Sequence, residues 1–191
     1  PNTRLLFGET LGNPGLDVLD IPTVSAIAHD ARLPLLVDST FTTPWLMKPF
    51  EHGADLLYHS ATKFLSGHGT VIGGVLVDSG RFDWDQSGRF PELSEPYAGF
   101  HGMVFSEESS VGGFLLRARR EGLRDFGACM SPHTAWLILQ GIETLPLRMA
   151  RHVENTRKIV AFLAKHPMVE SVGYPELDGH PSQALASKLL P

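Results

Sequence analysis

Leu33-Pro34-Leu35-Leu36-Val37-Asp38 is an unbroken apolar run that stops on a carboxylate. Strands buried on both faces of a parallel sheet read this way, without the polar alternation of a half-solvated strand. Upstream, Leu5-Leu6-Phe7 is a shorter run ending in Gly8-Glu9-Thr10-Leu11-Gly12-Asn13-Pro14, a stretch of turn formers. Between the two, Pro22 suits the first turn of a helix that carries Val24, Ile27, Ala28 and Ala31 on one face. Downstream, Thr43-Pro44 opens a short helical stretch to His52, Ala54-Asp55-Leu56-Leu57-Tyr58 is the next strand, and Gly73-Gly74-Val75-Leu76-Val77 is another. Strand, helix, strand, short helix, strand is the order of an α/β domain with a mainly parallel sheet flanked by helices.

From Ser79 to Gly102 the periodicity stops. Phe82, Trp84, Phe90, Tyr97 and Phe100 lie among Gly, Pro, Asp and Glu, which predicts a long irregular loop with short turns. Helices then return. Ser106 to Arg120 has a charged face, with Arg117, Arg119 and Arg120 read as solvated or subunit-facing. Ser131-Pro132 is an N-cap with proline at the first helical position. Leu147 to His166 is amphipathic and ends at Pro167, after which Met168–Val172 reads as the opening strand of a second domain. The expected division is a large domain over residues 1–145, then a connecting helix and the start of a smaller C-terminal domain over 146–191. Both ends are abrupt, which predicts a fragment of a longer protein.

Composition excludes several classes. The chain has 191 residues, 42% apolar and 19% charged, enough for a sizeable core. A net charge of -5 argues against a nucleic-acid partner, and no apolar run reaches the roughly 18 residues of a membrane span. The single cysteine, Cys129, cannot form an internal disulfide; it fits a reducing, cytoplasmic setting and reads as a small core or helix-flanking residue. The nine histidines are scattered without zinc-site spacing, so no metal is expected.

Ligands of doubly wound sheets gather at the carboxyl ends of the strands. Asn13 follows the first strand, Asp38 ends the second, and Ser60, Thr62 and Lys63 follow the third. Such a set matches the needs of pyridoxal phosphate: a lysine amine for an imine, an acid facing the pyridine nitrogen, and donors for the phosphate. Lys63 fits the first task, Asp38 the second, and Ser60 and Thr62 the third. Side-chain alternation would put 60 and 62 on one side and 63 on the other, while Asn13 could bond the ring's phenolic oxygen. Each residue also has a plainer reading: Asp38 as a cap or turn former, Lys63 as a solvated surface lysine, Asn13-Pro14-Gly15 as a turn. The residues alone therefore predict an α/β enzyme and leave its cofactor open.

Gly8–Pro14, Val37-Asp38-Ser39-Thr40-Phe41-Thr42-Thr43-Pro44 and Ser60-Ala61-Thr62-Lys63-Phe64-Leu65-Ser66-Gly67-His68 resemble three motifs of the Cys/Met-metabolism pyridoxal phosphate enzymes, in order and in spacing. The resemblance covers essentially the whole chain. It implies the fold-type I, aspartate-aminotransferase-like architecture. It also implies Lys63 as Schiff-base lysine, Asp38 as partner of the pyridine nitrogen, Ser60 and Thr62 as phosphate ligands, and Asn13 as a ring-oxygen contact. The stretches Phe114–Gly127 and Ser131–Leu145 are similar to the O-acetylhomoserine sulfhydrylase branch more than to cystathionine synthases and lyases or methionine γ-lyase. That branch implies γ-replacement on O-acetylhomoserine by sulfide or a thiol, in a homo-oligomer with shared active sites. Family members place a phosphate loop and a ring-stacking tyrosine before such a start, and the arginine for the substrate carboxylate after such an end. A nucleotide-binding module is the rival reading; no Gly-x-Gly-x-x-Gly or Walker loop supports it. A truncated homologue is the other.

Overall fold

The computed structural model describes residues 2–109 and 112–191. Its centre is a four-stranded sheet, β1 (Leu6–Glu9), β2 (Leu35–Asp38), β3 (Leu56–Ser60) and β4 (Gly74–Asp78), in the order β1-β2-β3-β4. β1, β2 and β3 pair parallel, with Glu9 beside Asp38 and Asp38 beside Tyr58. β4 returns antiparallel along β3, from Ser60–Gly74 to Leu56–Asp78. The sheet is thus mainly parallel, as the apolar runs predict.

Parallel neighbours need a crossover, and between β1 and β2 it is the Ile21–Asp30 helix. Asp20 caps it, accepting from Thr23 N at 3.2 Å and from the Thr23 hydroxyl at 2.8 Å, and Pro22 lies in its first turn. Asp55, buried just before β3, accepts from Leu35 N at 2.7 Å and bonds His29 Nε2 at 2.9 Å. That carboxylate ties the entries of β2 and β3 to the helix that precedes β2.

Alternation divides the strands between two cores. Leu6, Leu35, Val37, Leu57 and Val77 pack with Ile21 and Ala28 of the crossover helix and with Ala186 and Leu189 of the last helix, Gln183–Leu189. On the other face, Leu36 and Leu56 meet Trp84, Phe90, Leu93 and Phe105. Ser79–Gly102 is therefore more ordered than the predicted irregular loop. It holds the short helical turns Trp84–Ser87, Pro91–Ser94 and Ala98–Phe100, folded around edge-to-face aromatic pairs such as Trp84–Phe90 at 5.0 Å. One-turn helices leave no periodicity to read.

Three expectations need correction. The helix predicted from Ser106 to Arg120 is broken: Phe105–Glu108 and Gly113–Arg117 are separate helices, and residues 110 and 111 of that stretch lie outside the described residues. Gly113 sits so near the carbonyl of Phe105 that a Cβ there would lie 3.1 Å from it. Arg117 is not solvated; it packs on the Tyr97 ring at 4.8 Å, bonds Glu121 at 2.6 Å and donates to the Glu92 carbonyl, whereas Arg119 and Arg120 are exposed. Met168–Val172 forms no strand, since no neighbouring strand offers it a ladder among the described residues. Instead the segment after it is fastened to the Leu145–Leu163 helix through a two-pronged Arg157–Glu176 pair. Cys129, read as a small core or helix-flanking residue, is the second of these: it is exposed on the approach to the Pro132–Glu143 helix.

Candidate active site

Because β1 to β3 run the same way, their carboxyl ends reach one edge of the sheet. There a cleft of about 710 Å³ is lined by Asn13, Asp38, Ser60, Thr62 and Lys63 together. The five residues singled out in the sequence thus share one space, although Asn13 comes from a loop, Thr62 and Lys63 from the helical turn after β3, and only Asp38 and Ser60 from strands.

The lysine segment is the connection from β3 into antiparallel β4. Ala61–Leu65 make a π-type turn in which helical geometry breaks at Lys63 (φ -91°, ψ -119°). Ala61 and Leu65 pack down on Ile138, Leu145 and Met149, leaving Lys63 exposed on the cleft side. Among the described residues no carboxylate pairs with its amine. The strand stops at Ser60, so strand alternation does not extend to Thr62 as expected. The Thr62 hydroxyl is clipped to Gly73 instead, accepting from its N–H at 3.0 Å and donating to its carbonyl at 3.3 Å.

Asp38 is half-buried and accepts from Thr40 N at 2.8 Å through Oδ1. The Thr40 hydroxyl in turn accepts from Ser60 N at 2.7 Å, coupling the ends of β2 and β3. Below them, three fully buried hydroxyls form a chain, Thr10 to Thr42 at 3.0 Å and Thr42 to Ser39 at 2.9 Å, joining the loops after β1 and β2. His59 is buried beside this chain with Nδ1 3.1 Å from Ser39 O. Burial pushes its pKa below the ordinary 6.5, against smaller upward pulls from the Ser39 carbonyl and Asp38. Its imidazole is therefore neutral, with Nδ1–H donating to that carbonyl.

Sequence reasoning did not find Thr40, the hydroxyl chain, His59 or Arg148. Arg148 lines the cleft and donates to Phe64 O at 2.8 Å across a separation of 84 residues. The Phe64 ring stands edge-on to Phe41 at 6.0 Å and to His152 at 5.6 Å. Leu11, Phe41, Phe64 and His152 also face an adjoining, mostly apolar chamber of about 400 Å³. Only spatial proximity marks these residues, and no local spacing announces it.

The family model described as "Cys/Met metabolism PLP-dependent enzyme" matches residues 1–190. The chain belongs to that family. Curated relatives include an O-acetyl-L-homoserine sulfhydrylase of Leptospira meyeri, 49% identical over 97% of this chain, and a homocysteine synthase of Schizosaccharomyces pombe, 48% identical over 99%. The chain spans 44% of the length of each. A crystal structure of an O-acetylhomoserine (thiol)-lyase from Campylobacter jejuni, which contains N'-pyridoxyl-lysine-5'-monophosphate, superposes with a TM-score of 0.91 at 35% identity. It covers 98% of this chain and 47% of its own. The fold is accordingly that of the PLP-dependent sulfhydrylases, a mostly parallel sheet between helices.

Proposed function

We propose that the protein carrying this chain is a pyridoxal phosphate-dependent transferase that replaces the γ-acetoxy group of O-acetylhomoserine with sulfide or a thiol, giving homocysteine or methionine plus acetate. The observation that carries this reading is the meeting of Lys63, Asp38, Ser60 and Asn13 in one cleft at the ends of three parallel strands. The names of the relatives supply the substrate class.

The residues present fit the cofactor. Asp38 Oδ2 has no hydrogen bond among the described residues, while Oδ1 is anchored by Thr40, so a fixed carboxylate keeps one oxygen for a cationic nitrogen. Lys63 has no ion partner among them and stands on the same cleft. Lys63 Nζ would hold the cofactor, Asp38 would face its pyridine nitrogen, and Asn13 would meet its phenolic oxygen. The Ser60 hydroxyl is the readier phosphate donor. Thr62 already directs its proton to Gly73 O, although at 3.3 Å that bond is long enough to exchange. Bound there, pyridoxal phosphate supplies an electron sink for charge developing at the substrate Cα. With the cofactor and the amino-acid substrate bound in that cleft, the Lys63 amine would be the base for the substrate Cα proton.

A homo-oligomer with active sites shared between subunits fits the apolar Phe7, Tyr58 and Leu76 left open on the sheet face beside the cleft. A cytoplasmic setting fits the lone cysteine. No described helix is long and apolar enough to cross a membrane.

The test is borohydride reduction of the intact protein followed by peptide mapping. The pyridoxyl adduct is expected on Lys63, and Lys63→Ala should lose adduct and turnover together. An adduct on another lysine, or full turnover in that variant, sinks the proposal. Acetate release driven by cysteine in preference to sulfide would move the assignment to cystathionine synthesis, and release of 2-oxobutanoate would move it to γ-elimination.

A further inference from the structure

Arg148, in the first turn of the Leu145–Leu163 helix, grips the segment that carries Lys63 at the margin of the cleft. Nη1 donates to Phe64 O at 2.8 Å, Nη2 to Gly141 O at 2.7 Å and, more weakly, to Leu65 O at 3.4 Å, and Nε to Thr144 Oγ1 at 3.1 Å. Phe64 and Leu65 close the lysine turn, whose onward amide bonds run from Ser66 N to Ala61 O and from Gly67 N to Lys63 O. The carbonyls of Phe64 and Leu65 are thus terminal acceptors without a helical partner, a place where the backbone dipole favours a cation.

The backbone on both sides is shaped to admit the guanidinium. Gly67 lies at φ +75°, and a Cβ there would come within 2.7 Å of Arg148 Cζ. Gly141 approaches so closely that its Cβ would stand 2.2 Å from Ser66 O. Arg148 meets no carboxylate among the described residues, so its charge is balanced by carbonyl dipoles from two elements. A planar fork spreads its donors over three nitrogens and spans the carbonyls in this way, whereas a lysine ammonium carries its three donors on one nitrogen and lacks that spread.

We infer that Arg148 is a positioning residue: it locks the backbone of Phe64 and Leu65 onto the corner between the two long helices, so that Lys63 Nζ enters the cleft in one orientation. The inference rests on the reading of Lys63 as the cofactor lysine.

Arg148→Met and Arg148→Lys in the intact protein test it, with Thr144→Val as a milder variant that removes the acceptor at Nε together with that hydroxyl's own 3.3 Å bond to Gly141 O. In the cofactor-free protein, amide hydrogen exchange over residues 64–68 should quicken about tenfold in Arg148→Met. When pyridoxal phosphate is added, trapping of the adduct at Lys63 should slow by about 10- to 100-fold. The visible circular dichroism of the bound cofactor should change with it, and Arg148→Lys should recover only part of both signals. A lower melting temperature with unchanged trapping rate per folded molecule and unchanged dichroism would show a merely structural role and overturn the inference. Should Arg148→Met not fold, the other two variants carry the same comparison. Absence of any adduct at Lys63 in the wild type would sink the functional reading instead, and the exchange rates then decide the lock by themselves.

Discussion

His59 stands one residue before Ser60, yet points away from the chemistry into the buried base of the site. Its pKa is lowered chiefly by burial, so the folded protein keeps it neutral while an unfolded chain protonates it near 6.5. Its contribution to stability is fully present above that value and declines as pH falls toward the lowered folded value. Unfolding free energy, measured in urea between pH 8 and 5, should fall on acidification. His59→Asn keeps a donor for Ser39 O and should flatten that slope; parallel slopes would refute the assignment. Asp78 behaves in the opposite sense. Its Oδ2 is buried without a partner, and burial first, then Asp55, pushes its pKa up. Asp78→Asn should therefore raise stability at pH 7, by less than about 1 kcal/mol because the residue is only partly buried and Oδ1 keeps its bond from Gly80 N. The gain should vanish as pH falls through the carboxylate range, where Asp78 is already neutral. At this scale the sequence showed Lys63, Asp38, Asn13 and Ser60, because strand ends can be inferred from apolar runs. It did not show Thr10, Thr42 or Arg148, whose partners lie 32 to 84 residues away.

Elements differ in how much of their definition is local. The Pro132–Glu143 helix carries its own start signal: Ser131 Oγ accepts from Thr134 N at 3.1 Å. Ser131→Ala should lower stability by about 1 kcal/mol. The Met168–Val172 segment has strand-like residues but depends on a ladder partner that sequence cannot supply. Where the Pro132–Glu143 helix meets the lysine turn, contact is backbone to backbone at Gly141. A methyl there would face Ser66 O at 2.2 Å and Leu65 O at 2.6 Å, atoms that no rotamer change can move aside. Gly141→Ala should consequently destabilise by about 1–3 kcal/mol, the range of core overpacking. Glu143→Ala, exposed on the same helix, should stay within about 0.5 kcal/mol. Equal denaturation midpoints for the two variants would show that the helix is not seated on the turn.

For the molecule as a whole, the three buried apolar clusters leave apolar surface uncovered on more than one side. The aromatic cluster shields Leu36 and Leu56, but on the same sheet face Tyr58 and Leu76, direct partners across β3 and β4, remain open, as does Phe7, 60% exposed on the edge strand β1. Trp136 and Leu139 project from the Pro132–Glu143 helix, exposed by 54% and 60%. Single exposed apolar residues are ordinary on any protein, whereas contiguous ones are where other protein surface binds. This chain spans 44% of the length of the relatives it matches. The 191-residue chain by itself should accordingly bind a hydrophobic dye and sediment as associated species at micromolar concentration. Phe7→Thr with Leu76→Thr keeps side chains that suit strands while making this face polar. The pair should reduce dye binding and association while leaving the cores, which neither side chain helps to fill, close to their original melting temperature. A monodisperse monomer without dye binding, before any substitution, would show that the face does not act as an interface.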